Sequence, residues 1–360
     1  MEKFKSENYD IYLGKLQFPQ IENFLQKKVY QSSKKIIIVD ENTKHFCLPK
    51  LLKNVKTLQA ANIIEIKNGE KHKTIDDCKL VWEKLIELKT DRNSIVINLG
   101  GGMLTDIGGF VSSTFKRGIP FINIPTTLLA MVDASIGGKT GVNFGELKNQ
   151  IGVFSKPMAV FIIPEFLKSL NKSQILSAYA EIIKHALIFD EKYWETIKNI
   201  EIHSTDYYLN LIIPSIKIKN EIVSIDPYEK NVRKKLNFGH TIGHAFETIS
   251  HKKGKALLHG EAIAMGMICE TFISHKIAGL SQSELKEIIS HIIKYFKPYI
   301  LQKQDFNTLI EIMSHDKKNS DKEINFTLLN SIGKAEINKT CKKDLIIEAF
   351  EFYSHLPFKN

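Results

Sequence analysis

Residues 233–261, RKKLNFGHTIGHAFETISHKKGKALLHGE, hold four histidines, of which His240, His244 and His259 stand out. His240 and His244 are four apart, so on a helix both rings share one face. His259 follows in Leu-His-Gly-Glu, just ahead of another apolar helical run, and Glu181 stands upstream in Ala-Glu-Ile-Ile-Lys. Two imidazoles and a carboxylate, with one position left open, are the usual donor set of a catalytic zinc. The stretch is not a His-Glu-x-x-His peptidase motif, because Thr241 stands where the water-activating glutamate would be. A metal here is expected to polarise a substrate oxygen rather than to generate hydroxide. A histidine pair at this spacing also reads as two solvated or core residues. Asn237, Gly239, Gly243 and Glu247, crowded onto the same short segment, weigh towards a site.

A second candidate is Gly100-Gly101-Gly102, at the end of the apolar run Ser94–Leu99. Backbone without Cβ atoms can approach a diphosphate, and the next helix offers it free N–H groups. It is not the Gly-x-Gly-x-x-Gly fingerprint, and three glycines are also a plain turn. Asp106 follows as a helix-face carboxylate, and Thr126 and Thr127 follow the run Phe121–Ile124, to contact a phosphate or to cap a helix. Residues 133–152, rich in glycine and poor in periodicity, read as a long functional loop carrying Asp133, Lys139, Asn143, Lys148 and Asn149.

The elements that would position these residues are legible from periodicity. Strands are expected at 36–40, 62–66, 94–99 and 121–124. Helical runs are expected around 43–53, over 74–89 and after the triple glycine, with 68–73 as a loop. Alternating strands and helices imply a parallel sheet with ligands at the strands' carboxyl ends. After residue 165, apolar residues recur at helical spacing over 172–190, 206–225, 238–250, 260–279, 283–295, 305–315 and 343–354, with β signal only at 324–329. The fold class expected is an α/β domain over 1–165 followed by a mostly helical domain over 166–360. The nucleotide loop lies in the first, the metal donors in the second, and a reaction in the cleft between them.

Composition narrows the function classes. The 360 residues are 43% hydrophobic with a mean hydropathy of −0.14, as in an ordinary globular protein. No run approaches a membrane span and the N-terminal segment has no signal-peptide pattern. Cys47, Cys78, Cys269 and Cys341 are scattered, which fits a reducing cytoplasm. The net charge is +10, but the lysines are dispersed and not interleaved with aromatics, so nucleic-acid binding ranks low. Only Arg92, Arg117 and Arg233 are arginines. A chain this rich in lysine keeps arginine where a planar fork grips carboxylate or phosphate.

The segments GEKHK, GGGMLTDIGGF, STFKRGIPFINIPTTLLAMVDASIGGKTGVN, LKNQIGVF, AEIIK, RKKLNFGHTIGHAFE and LHGE occur in this order between about Asp40 and Lys318. In this set the chain closely resembles the 3-dehydroquinate synthase family. The resemblance implies the dehydroquinate synthase-like fold, shared with iron-dependent and glycerol dehydrogenases. It also implies a homodimer using NAD and a divalent metal, zinc or cobalt. Carried over by motif, the metal ligands are Glu181, His240 and His259. NAD contacts are Asp40, the Asn68-Gly69-Glu70-Lys71-His72-Lys73 loop, Gly101, Gly102, Asp106, Thr126, Thr127, Lys139 and Lys148, with the Phe166-Leu167-Lys168-Ser169 segment. The substrate site draws on Asp133, Lys139, Asn149, Lys184, Lys219, Arg233, Asn237, His244 and one of Lys317 and Lys318, with Arg117 reaching across from the other subunit. The implied reaction converts 3-deoxy-D-arabino-heptulosonate 7-phosphate to 3-dehydroquinate and phosphate, in the shikimate route to aromatic amino acids. It runs through transient oxidation, phosphate elimination, re-reduction, ring opening and aldol closure. His244 serves there as proton shuttle or oxyanion contact. The chain departs from the family pattern at Leu170–Gln174, where Leu-Pro-x-Arg-Glu is usual, and at Ala178, where glycine is common.

Two rivals share the scaffold: another sugar-phosphate cyclase, whose substrate lacks the carboxylate, and a metal-dependent polyol dehydrogenase. Lys219, Arg233, Asn237 and His244 together favour the first reading over the sister cyclases. The cationic set argues against a polyol.

Overall fold

The computed structural model describes residues 2–6, 9–14, 17–145, 147–200, 202, 208–314 and 324–357. The chain packs as two compact units, Met1–Asn171 with Thr205–Ser224, and Lys172–Ser204 with Ile225–Asn360. Sequence periodicity put the boundary at 165/166. The turn Pro164–Ser169 stays with the first unit, where Phe166 meets Phe18 edge-on. Most of the helix Tyr208–Ile225 also returns to it: Lys219 reaches Asp133, and Asn220 donates to the Lys5 carbonyl at 3.0 Å. Periodicity marks a helix but not the unit it joins.

The first unit is built on a seven-stranded sheet. Its spatial order is Glu2–Lys5, Asp10–Leu13, Ala159–Ile162, Phe121–Pro125, Ile95–Gly100, Lys35–Asp40, Asn62–Ile66. Only the first pair is antiparallel. Ile95–Gly100 and Phe121–Pro125 are buried at every position, as parallel strands covered on both faces must be, which explains their unbroken apolar runs. From Lys35–Asp40 the chain turns to one side for Asn62–Ile66, then crosses to the other side for Ile95–Gly100. That reversal is a topological switch point, the place where such sheets bind ligands. Asp40 and the triple glycine end the two strands that flank it.

The stretch 133–152, expected as a loop, contains most of an antiparallel hairpin, Lys139–Phe144 with Leu147–Phe154. Gly141 faces Gly152 across it, and a Cβ at Gly141 would sit 2.5 Å from the Ile151 carbonyl oxygen. Here glycine permits close backbone approach, and it also erases the alternation by which a strand is recognised.

The second unit is mostly helical. It holds helices Lys172–Phe189, Glu191–Lys198, His240–Lys252, His259–Ile277, Gln282–Tyr295, Asp305–Ser314 and Lys343–Ser354, and a hairpin of Asn325–Ser331 with Lys334–Thr340. His259–Ile277 is its central helix, buried at nearly every position from Gly260 to Ser274 and packed against the helices Lys172–Phe189, His240–Lys252, Gln282–Tyr295 and Lys343–Ser354. The helix His240–Lys252 lies so close to it that a Cβ on Gly266 would stand 2.0 Å from the Gly239 carbonyl oxygen. Gly239, at φ +78, precedes that helix and offers no side-chain cap. The cap comes from the neighbour. Glu270, fully buried, accepts from the backbone N–H of Gly239 at 2.6 Å and of Ile242 at 3.0 Å. One carboxylate thus fixes the start of the helix that carries His240.

The helix Lys172–Phe189 is held elsewhere by a buried polar contact, Tyr179 Oη to His291 Nε2 at 2.8 Å, with Trp194 against the imidazole. Burial, helped by Lys294 and Lys198, pushes the His291 pKa down to about 4. The unfolded chain therefore takes up this proton first as the pH falls. Stability contributed by the neutral ring is complete above about pH 6.5 and is lost between there and about pH 4. Between pH 7 and pH 5, His291→Gln should abolish about 2 kcal/mol of the loss of stability seen by urea denaturation. Glu270→Ala, by leaving two buried N–H groups without an acceptor, should cost about 3 kcal/mol in the same measurement.

Candidate active site

In the second unit Glu181 lies mid-helix with no exposed surface. Lys184, one turn on and 1% exposed, forms an ion pair with its Oε2. Its Oε1 lies 3.4 Å from His240 Nε2 and 3.4 Å from His259 Nε2. Apart from that ion pair, neither oxygen has a hydrogen-bond partner among the described residues. One donor atom from each of the three residues falls within 4.8 Å of the other two, the spacing of ligands around a single ion. His240 Nδ1 is 3.1 Å from the Phe238 carbonyl oxygen. A carbonyl only accepts, so Nδ1 carries the proton and Nε2 presents its lone pair towards Glu181. His244 stands on the same helix face, its ring centroid 5.2 Å from that of His240 and 5.9 Å from that of His259.

Charge agrees with geometry. Burial alone would raise the Glu181 pKa, but the Lys184 ammonium and His240 outweigh it and hold the carboxyl well below the usual range. Burial and Lys184 both lower the pKa of His240 and keep the ring neutral. Burial opposes charge on His259 too, yet Glu181 and Glu247 raise it to about 9. Two carboxylates on one ring favour a positive charge there, whether a proton or a metal ion.

Arg233 is 2% exposed and donates through Nη1 to the Pro227 carbonyl at 2.5 Å. Asp226 fixes the turn before it by accepting from the backbone N–H groups of Lys230, Asn231 and Arg233. Asn237 Nδ2 donates to Glu229 Oε1 at 2.8 Å.

The first unit gathers a different set. Lys73, buried, donates to Asp106 Oδ2 at 2.5 Å and to Asn149 Oδ1 at 2.6 Å. Burial raises the Asp106 pKa, and Lys73 offsets only part of that. Asn149, at φ +53, donates its N–H to Asn143 Oδ1, and Asn143 Nδ2 donates to Glu70 Oε1 at 2.9 Å. The loop Asn68–Lys73, which contains the turn Glu70–His72, is thereby tied to the hairpin. The Asn68 N–H goes to Glu41, Gly69 has φ +97, Lys71 is exposed, and His72 lies beside Asp77. Lys219 donates to the Asp133 carbonyl at 2.7 Å and pairs with its carboxylate. Asp40 closes a capping box with Thr43. Gly101 precedes the helix Gly102–Thr114 without any side-chain cap. A Cβ on Gly101 would come 3.0 Å from Thr127, and one on Gly102 3.0 Å from Ala134. Thr127 Oγ1 accepts from the Ala130 N–H at 3.2 Å, so the capping role left open by the sequence is filled, while Thr126 is buried.

Lys139, Lys148, Lys168, Ser169 and Arg117 are exposed. Arg117, at φ +70, follows Lys116 at φ +50, a strained pair at the end of a short turn. The side chains of Phe166 and Leu167, 3% and 2% exposed, belong to the core. Lys317 and Lys318 lie outside the described residues. The sequence reading did not assign roles to Glu247, Asp226 or Glu270. Glu247 was findable at i+7 from His240, and Glu270 as the one acid inside the apolar run Ala262–Ser274.

The model of the 3-dehydroquinate synthase N-terminal region matches residues 63–177, and that of the C-terminal region matches residues 178–319. A 3-dehydroquinate synthase of Parabacteroides distasonis is 44% identical over 336 residues, covering 93% of this chain and 94% of that one. One of Helicobacter pylori is 37% identical over 347 residues, 96% and 97% of the two chains. Among solved structures, 2-deoxy-scyllo-inosose synthase in complex with carbaglucose-6-phosphate, NAD+ and Co2+ superposes with a TM-score of 0.86 at 23% identity, covering 98% and 99% of the chains. A 2-epi-5-epi-valiolone synthase of Streptomyces hygroscopicus with NAD+ and Zn2+ bound superposes at 0.82, also at 23%, over the same shares of the chains. The fold is thus that of the sugar-phosphate cyclases, and the chain itself belongs to the 3-dehydroquinate synthase family.

Proposed function

We propose that this chain is a 3-dehydroquinate synthase that converts 3-deoxy-D-arabino-heptulosonate 7-phosphate to 3-dehydroquinate and phosphate with NAD and one divalent metal, zinc or cobalt. The observation that carries the metal is Glu181, a fully buried carboxylate facing two imidazole Nε2 atoms at 3.4 Å. Glu181, His240 and His259 are the ligands in this reading. NAD is supported by the uncapped start of Gly102–Thr114 at the switch point, where a Cβ would fill the approach. Its contacts are assigned to Asp40, Asn68–Lys73, Gly101, Gly102, Asp106, Thr126, Thr127, Lys139, Lys148 and the backbone of Phe166–Ser169. When bound, the metal would supply acidification of a substrate hydroxyl and NAD would supply reversible hydride transfer, leaving the net reaction redox-neutral.

The substrate is an anion at both ends. Lys184, Lys219 and Arg233 oppose its charge, with Lys139, Asn149, Asn237, Asp133 and one of Lys317 and Lys318 orienting it. Arg117, exposed on its strained turn, is assigned to the substrate phosphate of a second copy in a homodimer. His244 holds or accepts a proton at an imidazole nitrogen beside the metal ligands. The greater identity to 3-dehydroquinate synthases, 44% against 23% for the two sister cyclases, supports this substrate over theirs.

Metal-loaded protein should release phosphate from 3-deoxy-D-arabino-heptulosonate 7-phosphate only when NAD is present and chelator absent, with no net NADH. Release without NAD would overturn the mechanism, and no release with both bound would move the substrate to a sugar phosphate lacking the carboxylate. His259→Ala should lose metal and activity together, by elemental analysis and phosphate assay. Full metal content in that variant would remove His259 from the ligand set.

A further inference from the structure

We infer that Glu247 is a positioning residue, the carboxylate that sets the proton and the aim of the His259 ring. This rests on the metal reading above and adds to it a group outside the ligand set.

His240, His244 and Glu247 stand at i, i+4 and i+7, so all three project from one face of the helix His240–Lys252. Glu247 is 3% exposed. Its Oε2 lies 3.5 Å from His259 Nδ1, on the opposite side of the ring from Glu181, whose Oε1 lies 3.4 Å from Nε2. His259 is the first residue of its own helix, where the backbone has just left an extended conformation at Leu258. A ring at a helix start swings freely unless something outside the helix holds it. His240 is held by the Phe238 carbonyl at Nδ1, but among the described residues no backbone carbonyl plays that part for His259. Glu247 does. An ionised carboxylate only accepts, so the proton of a neutral His259 belongs on Nδ1 and the lone pair on Nε2, the atom that faces Glu181. A carboxylate behind a ligating imidazole both orients the ring and strengthens it as a donor.

The same residues permit one other arrangement. His244, Glu247 and His259 also bring donor atoms within 4.8 Å of one another, so Glu247 could bind a metal directly. Stoichiometry and the proton's position separate the two.

The test uses the full chain stripped of metal and labelled with 15N in its imidazoles. Nitrogen-detected tautomer assignment at a pH where the ring is neutral should place the His259 proton on Nδ1. Titration with Co2+ should give one ion per chain. Glu247→Gln should weaken Co2+ binding about 10- to 100-fold at unchanged stoichiometry and shift the d–d absorption of the bound ion, with Glu247→Asp recovering part of the affinity. A proton on Nε2 in the unmutated protein, two ions per chain, or a Glu247→Gln affinity within twofold of the parent would overturn the inference while leaving the metal site in place. Failure of the unmutated chain to bind Co2+ would overturn the metal reading and this inference with it. The tautomer measurement needs no variant, so the inference remains testable should Glu247→Gln fail to fold.

Discussion

Everything chemical in the helical unit depends on keeping a carboxylate ionised where no water reaches it. Glu181 has no exposed surface, and desolvation on that scale is worth several kcal/mol against the charged form. The fold answers with Lys184 on the next turn of the same helix and two imidazoles from two other helices. Removing one partner would leave a buried charge unopposed. The unit is therefore organised to bring three helices to one point, and its close contacts read as consequences. Gly266 lets two of the helices nearly touch, and Glu270 fixes where one of them begins.

The sheet unit is built differently, around the carboxyl ends of its parallel strands. Its strand order reverses at Lys35–Asp40, and the next strand over ends in three glycines and an uncapped helix. A helix start of that kind leaves backbone N–H groups open to an anion. Two of its buried lysines are paired. Lys73 is committed to Asp106 and Asn149, and Lys219 to Asp133. A basic chain with so few arginines thus keeps several of its lysines inside networks that are internally neutral. Its surplus charge lies on dispersed surface lysines, which explains why net charge is a poor guide to its partner.

The proposed reaction, redox-neutral overall, suits such a design. In the proposed reaction hydride leaves and returns, and protons move over short distances, so few residues would act as acids or bases while many would hold a doubly anionic sugar still. The assigned set follows that division. Lysine, arginine and asparagine dominate it, and His244 is the histidine assigned to proton transfer.

Periodicity and residue type in the sequence determined the parallel strands, most of the helices, the histidine pair at i and i+4 and the glycine-ended strand, because these signals are local. A buried strand is an apolar run, and a helix face repeats at i+4 and i+7. Short elements without such a run, such as the hairpin Lys139–Phe144 with Leu147–Phe154, were illegible because paired glycines removed the alternation. So was the return of Tyr208–Ile225 to the first unit, since an apolar face does not name its partner. Tertiary structure alone decided that Asp40 caps a helix, that Phe166 and Leu167 are core, and that Lys73 is paired. It alone showed that Glu270 caps a helix on which it does not lie. Each of these depends on the distance between atoms far apart in the chain, a quantity that residue order does not encode locally and only packing sets.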